Sequence, residues 1–335
     1  MTLELLRPGT RVLVRAPGPR VAETVHSLLD SGAAVDIEAR ATDTAVLDDL
    51  ASRHLVRLVA QPELAAYDLV LKDPHREAAV GTEATDSPAG TGEVILVGGG
   101  PGDPGLLTLA GFDALREADV VVTDRLAPLG VLDRLDPRPD VIHVGKIPRG
   151  EFTPQERINA VLIEHARAGR VVVRLKGGDN YVFGRGGEEW NACVEAGIPV
   201  RAIPGVSSAI AGPALAGIPV THRDATQGFV VVTGHVAPDD PRSTVAWDAL
   251  ARSGLTLVIL MGVAALAPIT EALLAYGLDP LTPAASVADA GMPSQQVVRA
   301  PVGELAAAVA QAGLRPPAVT VIGPTVDALL PPVQG

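Results

Sequence analysis

The chain has 335 residues, of which 47% are hydrophobic and 20% charged, and this length suits two or three globular domains. Its 39 Asp and Glu against 27 Lys and Arg give a net charge of −12, which argues against a general nucleic-acid surface. Cys193 is the single cysteine, so a disulfide framework and a thiolate zinc or iron–sulfur site are excluded. Because residues 1–20 lack a signal-peptide pattern and the uncharged stretches 202–221 and 253–270 are broken by Pro and Gly, we expect a cytoplasmic protein that does not span a membrane.

The predicted elements alternate between strands and helices. Ahead of a Gly-, Thr-, Ser- and Pro-rich segment at 81–92, which predicts a linker, the pattern predicts strands at 11–15, 34–38 and near 68–72 and a helix over 21–31. After the linker, strands are predicted at 94–97, 120–123, 141–144, 171–175, 200–203, 229–233, 257–261 and 319–322. Most are continuous β-branched runs, which is typical of a buried parallel sheet with helices on its faces. The predicted fold class is α/β, with the Pro-rich passage 203–219 as a hinge between two lobes.

A glycine loop at 97–108 lies between a predicted strand and a predicted helix. The glycines of its G-x-G-x-x-G pattern are Gly100, Gly102 and Gly105. Asp124 stands where a dinucleotide-binding fold places its ribose-binding acid, so an NAD site is one interpretation. Pro101 and Pro104 have no N–H, however, which removes two donors that would hold a pyrophosphate. A ligand without phosphate is therefore favoured over NAD, and a tight structural turn remains open.

A second glycine loop, at 174–189, follows another predicted strand. Glycines let a ligand approach the backbone closely. Asp179 can accept hydrogen bonds from hydroxyl or amino groups, and Lys176 and Arg185 can pair with carboxylates. These residues indicate a binding loop, with a flexible surface loop as the alternative.

Charged residues follow two more predicted strands. Asp124 and Arg125 follow one strand and Lys146 follows the next, at the end where open α/β sheets bind ligands. A solvated turn is the alternative for the Asp–Arg pair. Residues 142–185 hold eight Lys and Arg against four acids, so this stretch either holds a small polyanion or distributes its charge over helix faces.

In this order, the motifs GGGPGDPGLLTL, TDRL, VGK, RLKGGDNYVFGRGGEE, PGVSSA, GIPVTHRD, VTGH and LMG resemble uroporphyrinogen-III C-methyltransferases, the S-adenosylmethionine enzymes of siroheme and cobalamin synthesis. The resemblance covers residues 92–326. It implies a two-lobed α/β tetrapyrrole methyltransferase fold, with an N-lobe at 93–206 and a C-lobe at 207–330. Members of this family are usually homodimers, so a homodimer is expected. S-adenosylmethionine would lie in the cleft between the lobes, without a metal. A cofactor that has no phosphate also accounts for the prolines in the first glycine loop.

The resemblance also implies roles for residues of this chain. Two methyl groups would be transferred to C2 and C7 of uroporphyrinogen III, giving precorrin-2 and two S-adenosylhomocysteine. Asp124 takes the place of the family's proposed base, and Lys146 that of its proposed acid. The cofactor contacts fall at Pro101, Gly177, Gly178, Asp179, Val182, Ser207, Ser208, Met261 and Ala290. The substrate contacts fall at Arg125, Arg185, His222 and Arg223. The eight carboxylates of the substrate give the basic stretch 142–185 a partner.

Two departures from the family pattern concern the cofactor. Asn180 stands where the family usually has Pro, and Ala-Asp-Ala-Gly at 288–291 replaces its usual Glu-Asn-Gly-Thr. We expect both to alter cofactor affinity rather than to abolish activity.

Residues 1–80 are similar to a shortened dehydrogenase-ferrochelatase domain of siroheme synthase, a small Rossmann-like domain. Arg15, Ala16 and Pro17 replace its glycine loop or the neighbours of that loop, and their side chains would obstruct a pyrophosphate. We therefore expect a degenerate structural domain that does not bind NAD. Two alternatives stay open: a bifunctional enzyme that also oxidises precorrin-2 with NAD, and a tetrapyrrole- or S-adenosylmethionine-binding module without catalysis.

Overall fold

The computed structural model describes residues 9–15, 25, 28–29, 32–38, 53, 55–59, 66–72, 91–144 and 153–330. The chain divides into two compact units, Met1–Ala84 and Thr85–Gly335, and this division falls within the predicted linker 81–92. In the described parts of both units, no helix is long and apolar enough to cross a membrane.

The first unit contains a parallel four-stranded sheet. Its strands are β1 (Arg11–Arg15), β2 (Ala34–Glu38), β3 (Val56–Val59) and β4 (Leu69–Lys72), in the order β3-β2-β1-β4. The three predicted strands are confirmed, while β3 was not predicted because Val-Arg-Leu-Val is a short run. Val12 and Ile37 pack with Val25 and Leu28 in one apolar core, and these last two residues are helical. Most of the predicted helix 21–31 lies outside the described residues.

The second unit begins with a five-stranded parallel sheet. Its strands are β5 (Glu93–Gly98), β6 (Val120–Thr123), β7 (Asp140–His143), β8 (Val171–Lys176) and β9 (Val200–Ile203), in the order β7-β6-β8-β5-β9. The helices between these strands are α1 (Leu109–Glu117), α2 (Gln155–Arg167) and α3 (Gly186–Glu195). The prediction of a buried parallel sheet is confirmed for this part of the chain.

The two faces of this sheet pack against different helices. Leu96 and Val122 contact the cluster of Leu162 in α2, whereas Ile95 lies in the cluster of Leu115 in α1. Cys193 of α3 lies in the same cluster as Leu162, so the helices that follow the adjacent strands β5 and β8, which are α1 and α3, lie on opposite faces. In open α/β sheets such a switch point leaves a crevice at the carboxyl ends of the strands. Cys193 of α3 lies in the buried core, where burial raises the pKa of its thiol to about 11.

A second sheet follows in the same unit. Its elements are α4 (Ser208–Leu215), β10 (Phe229–Thr233), α5 (Trp247–Ala251), β11 (Thr256–Leu260), α6 (Leu266–Ala275), β12 (Pro283–Ala288), β13 (Gln296–Pro301), α7 (Val302–Gln311) and β14 (Ala318–Ile322). The strand order is β10-β11-β14-β12-β13, and of these pairs only β10 with β11 is parallel. The prediction of a parallel sheet is wrong here, because a buried apolar run reports burial on both faces and not strand direction.

The strand directions place two loops at one edge of this sheet. Both β11 and β12 are antiparallel to β14, so β11 and β12 run the same way and their carboxyl ends share an edge. The passage 203–219, which was predicted to be a hinge, joins the two sheets. Helix α4 occupies about half of it, and residues 204–207 precede that helix.

Candidate active site

The two glycine loops predicted from the sequence meet at the carboxyl edge of the first sheet. Gly100 N donates to Gly178 O at 3.1 Å, and Gly178 N donates to Gly100 O at 2.6 Å. Gly99 N also donates to Lys176 O at 2.7 Å. The loop after β5 and the loop after β8 therefore form one hydrogen-bonded floor at the switch point between these strands.

Glycine is required where this floor meets the segment before α4. A Cβ atom on Gly98 would lie 2.5 Å from Gly205 N, and one on Gly205 would lie 2.4 Å from Gly178 O. Real Cβ atoms do not come this close to backbone atoms, so the three backbones pack in direct contact. The tight approach of residues 98, 178 and 205 explains why this edge of the sheet is rich in glycine.

The donors of this floor do not suit a pyrophosphate. The N–H groups of Gly100 and Gly178 are already bonded to carbonyl oxygens, and Pro101 has no N–H. Asp103 Oδ1 accepts from Gly105 N at 2.7 Å, which uses a further amide of the loop. Phosphate recognition by such a loop depends on free backbone N–H groups. The geometry therefore favours a ligand without phosphate over a dinucleotide.

Asp179 holds the second glycine loop in place. Its Oδ1 accepts from the amides of Tyr181 and Val182 at 2.9 and 3.2 Å, and its Oδ2 accepts from Gly205 N at 3.3 Å. The sequence suggested instead that this carboxylate accepts hydrogen bonds from a ligand. In the structure it is committed to three backbone donors, so it shapes the loop.

Asn180 is fully buried beneath the loop. Its Nδ2 donates to Leu96 O at 3.2 Å and to Ile203 O at 2.8 Å, which ties the ends of β5 and β9 together. A proline in this position has no side-chain donor, so these two hydrogen bonds are specific to the asparagine of this chain.

Asp124 lies at the carboxyl end of β6, beside the floor. Its Oδ1 accepts from Leu126 N at 3.0 Å, and its Oδ2 accepts from Arg174 Nη2 at 3.1 Å. The side chain is 27% exposed. A Cβ atom on Gly177 would lie 2.5 Å from Leu126 O, so the turn that follows Asp124 packs directly on the second glycine loop. Arg125, next to Asp124, is exposed, and Lys146 lies outside the described residues.

A buried cluster of charges lies behind Asp124. Glu189 of α3 is fully buried and accepts from Arg174 Nε at 3.0 Å and from Lys176 Nζ at 3.0 Å. Gln155 Nε2 of α2 approaches the same carboxylate at 3.3 Å. Burial, followed by the neighbouring Arg174, lowers the pKa of Lys176, and Glu189 opposes that effect.

This cluster corrects the interpretation of the basic stretch. Lys176, expected to pair with carboxylates of a ligand, pairs with Glu189, and Arg174 is buried with it. Arg170 pairs with Asp140 at 3.1 Å. Glu189 was not among the residues predicted for the site. The signal for an internal pair was the position of Arg174 and Lys176 within a strand that is otherwise apolar.

Arg185 is exposed at the start of α3. Its Nε and Nη2 donate to the carboxylate of Glu188 at 2.8 and 2.7 Å, and its backbone has a φ of 58°. A left-handed φ in a residue with a long side chain is uncommon, and such strain concentrates at functional sites. The side chain is 56% exposed, and Glu188 is its ion-pair partner among the described residues.

The second lobe contributes residues from α4 and from the turn after β12. Ser207 caps α4, its Oγ accepting from Ala209 N at 3.3 Å, and Ser208 Oγ lies 3.2 Å from the Cβ position of Gly178. The carbonyl oxygen of Ala290 lies 3.5 Å from the Cβ position of Gly102. Both elements therefore border the glycine floor of the first lobe.

Met261 follows β11 at the sheet edge that carries Ala290. Its φ of 58° and its exposed fraction of 48% indicate a side chain held out of the core by a strained turn. Two further residues lie elsewhere, because the turn with His222 and Arg223 precedes β10. Thr226 ties this turn to Gly254, ahead of β11, through a 3.0 Å hydrogen bond. The structure thus places His222 and Arg223 at the edge where β10 and β11 begin, whereas Met261 lies at the edge where β11 ends.

The chain matches a known protein family and several known proteins. The family model described as "Tetrapyrrole (Corrin/Porphyrin) Methylases" matches residues 93–306. A siroheme synthase of Neisseria meningitidis serogroup B is 47% identical over 235 residues, which are 70% of this chain and 48% of that protein. The chain thus spans about half the length of the siroheme synthases it matches.

Two other likenesses cover nearly all of a relative. An S-adenosyl-L-methionine-dependent uroporphyrinogen III methyltransferase of Methanosarcina barkeri is 43% identical over 70% of this chain and 92% of its own. The crystal structure of a uroporphyrin-III C-methyltransferase of Thermus thermophilus, complexed with S-adenosylhomocysteine, has a TM-score of 0.61 and 39% identity. It covers 72% of this chain and 96% of its own. These likenesses agree with the resemblance carried by the motifs.

Proposed function

Because the chain belongs to the tetrapyrrole methylase family, we propose that it transfers methyl groups from two S-adenosylmethionine molecules to C2 and C7 of uroporphyrinogen III, giving precorrin-2 for siroheme or cobalamin synthesis. The observation that carries this proposal is the joined glycine floor at the switch point, beside the Asp124 carboxylate. Of the relatives that match along nearly their whole length, one is named an S-adenosyl-L-methionine-dependent uroporphyrinogen III methyltransferase. Another is a uroporphyrin-III C-methyltransferase solved with S-adenosylhomocysteine.

The residues at the crevice fit S-adenosylmethionine, because its binding needs close backbone approach and no phosphate donors. The residues that would hold it are Pro101, Gly177, Gly178, Asp179, Val182, Ser207, Ser208, Met261 and Ala290. Asp179 would act indirectly, through the shape of the loop, since its oxygens are bonded to backbone amides. When bound, the cofactor supplies a methyl group made electrophilic by a sulfonium.

The chain's own contribution is alignment, proton transfer and charge. An electron-rich pyrrole carbon is itself the nucleophile, so no covalent enzyme intermediate is needed and orientation lowers the barrier. Asp124 would accept the proton that the tetrapyrrole loses, and Lys146 would act as the acid. Arg125 and Arg185 are exposed and would orient carboxylates of the substrate. The substrate role that the resemblance implied for His222 and Arg223 is not part of this proposal, because they lie at the opposite edge of the second sheet.

Two finer features belong to the proposal. A homodimer is expected from the family resemblance, and light scattering on the purified chain tests it. A cytoplasmic location agrees with a single cysteine, which is buried and therefore protected from oxidation.

The test is an anaerobic incubation of the purified chain with uroporphyrinogen III and methyl-labelled S-adenosylmethionine, with and without NAD. Mass spectrometry counts the methyl groups on each tetrapyrrole. Two methyl groups with no effect of NAD support the proposed methyltransferase. If adding NAD leads to further conversion of the dimethylated product, the chain is the bifunctional enzyme. If the chain binds S-adenosylmethionine but transfers no methyl group, it is a binding module.

A further inference from the structure

Asp124, the proposed base, is held by a residue that would not itself contact the substrate. Arg174 is buried in β8, and its Nη2 lies 3.1 Å from Asp124 Oδ2. Since Leu126 N bonds the other carboxylate oxygen at 3.0 Å, both oxygens have a fixed donor. A partly exposed carboxylate without such donors rotates among several orientations. The Arg174 contact therefore fixes the direction in which the carboxylate faces.

The Arg174 guanidinium is itself immobilised. Its Nε donates to Glu189 at 3.0 Å, and its Nη1 donates to the carbonyl oxygens of Leu175 and Val122 at 3.1 and 3.4 Å. The side chain is only 4% exposed. A planar guanidinium makes these bonds in different directions at once, whereas the ammonium group of lysine is a single point charge.

Glu189 anchors this arrangement from α3. It is fully buried, and its remaining capacity is taken by Lys176 at 3.0 Å and by Gln155 at 3.3 Å. A chain of contacts therefore runs from the core of the first lobe through Arg174 to Asp124, which lies at the crevice.

We infer that Arg174 is a positioning residue of the methyl-transfer reaction, which acts by orienting the Asp124 carboxylate and is held in place by Glu189. The inference rests on the proposed function. Arg174 belongs to the basic stretch 142–185, which the sequence suggested as a surface for a ligand. The inference gives this buried arginine a role in the reaction without contact to the ligand.

A double-mutant cycle with Arg174→Lys and Asp124→Asn tests the inference. In the native background, Arg174→Lys should lower kcat by about tenfold to a hundredfold, as expected when a general base is misplaced. The KM for S-adenosylmethionine and the binding stoichiometry of S-adenosylhomocysteine should not change. In the Asp124→Asn background, the same change should have no further effect on kcat, because Arg174 acts through the carboxylate that is already lost.

Arg201→Lys is the matched control. Arg201 of β9 makes a partly buried pair with Glu93 at 3.2 Å, at the amino end of the same sheet. It should leave kcat unchanged in both backgrounds. If Arg174→Lys is insoluble, Arg174→Gln takes its place in the cycle, because the amide keeps two N–H donors while removing the positive charge.

The outcomes separate this inference from the proposed function. Equal losses of kcat from Arg174→Lys in both backgrounds would show a merely structural role, and the inference would be wrong while the methyltransferase stands. A change in stoichiometry or in cofactor KM with unchanged kcat would overturn it as well. If the native chain transfers no methyl group, the proposed function fails, and the positioning role fails with it.

Discussion

The backbones of Gly100 and Gly178 exchange two hydrogen bonds, with nitrogen-to-oxygen distances of 3.1 and 2.6 Å. These residues follow β5 and β8, whose connecting helices lie on opposite faces of the sheet. The pairing joins two loops that are distant in sequence at the point where open α/β sheets form a crevice. Each loop depends on the other for its shape, so a change in the packing of either should affect ligand binding.

Gly98→Ala should weaken S-adenosylhomocysteine binding and destabilise the fold. The added Cβ atom would lie 2.5 Å from Gly205 N, and a backbone shift to relieve such a clash costs about 1–3 kcal/mol. Isothermal titration calorimetry and thermal unfolding measure the two effects. Gly187→Ala is the control, because nothing lies within 4 Å of its Cβ position and alanine favours the helix. If Gly98→Ala binds S-adenosylhomocysteine as the native protein does, the glycine floor can shift without affecting cofactor binding.

Asp124→Asn should lower the rate of methyl transfer by roughly a hundredfold or more, since it removes the proposed base. Cofactor binding should be unaffected, because the amide can still accept from Leu126 N, as Oδ1 does now at 3.0 Å. Single-turnover transfer of labelled methyl groups measures the rate. Asp133→Asn, at an exposed pair with Arg138, is the control and should transfer at the native rate. Full turnover by Asp124→Asn would remove Asp124 from the mechanism.

Arg185→Ala should raise the KM for uroporphyrinogen III with little change in kcat. Losing a hydrogen bond to a charged group costs about 1.5–3 kcal/mol, which corresponds to roughly tenfold or more in KM. Initial rates at varied substrate concentration measure it. Arg252→Ala is the control, because Arg252 makes a similar exposed local pair, with Asp248 at 2.9 Å. An unchanged KM in Arg185→Ala would exclude the carboxylate contact.

Glu189→Gln should destabilise the protein by about 3 kcal/mol near pH 7, because it leaves Arg174 and Lys176 buried without their shared counter-charge. Glu188→Gln is the control, since its pair with Arg185 is exposed and contributes at most about 1 kcal/mol. Urea unfolding followed at several pH values measures both changes.

The loss in free energy of unfolding caused by Glu189→Gln should become smaller as the pH rises towards 10. Burial already lowers the pKa of Lys176, and Glu189 opposes that effect, so the substitution lowers this pKa further. Between the lowered value and the ordinary value of 10.5, the unfolded chain binds a proton that the folded variant has released. Stability rises with pH in such a window, and the window is wider in the variant than in the native protein. If the stability difference between variant and native protein stays constant over this range, the charge of Glu189 does not affect the pKa of Lys176.

How far the fold follows from local sequence differs between the two sheets. The strands β5, β6 and β8 are Val-rich runs buried on both faces, and such runs predict strands on their own. By contrast, β12 was missed because Pro-Ala-Ala-Ser-Val-Ala contains a single β-branched residue, and β13 because it is a largely exposed edge strand. The run of β14 was recognised as a strand, but its antiparallel direction depends on pairing with β11 and β12, which no local pattern encodes.

For the site, the sequence by itself determined the two glycine loops, the position of Asp124 after a buried strand, and the motifs that identify the family. Those features are local, since glycine, proline and a strand end act on their own stretch of backbone. Only the tertiary structure decided which charges are available to a ligand. Alternate residues of β8 point towards α3, so Arg174 and Lys176 contact the buried Glu189. The free-energy cost of removing these charges from water is offset by their pairing. A count of basic residues along the chain contains no information about that burial.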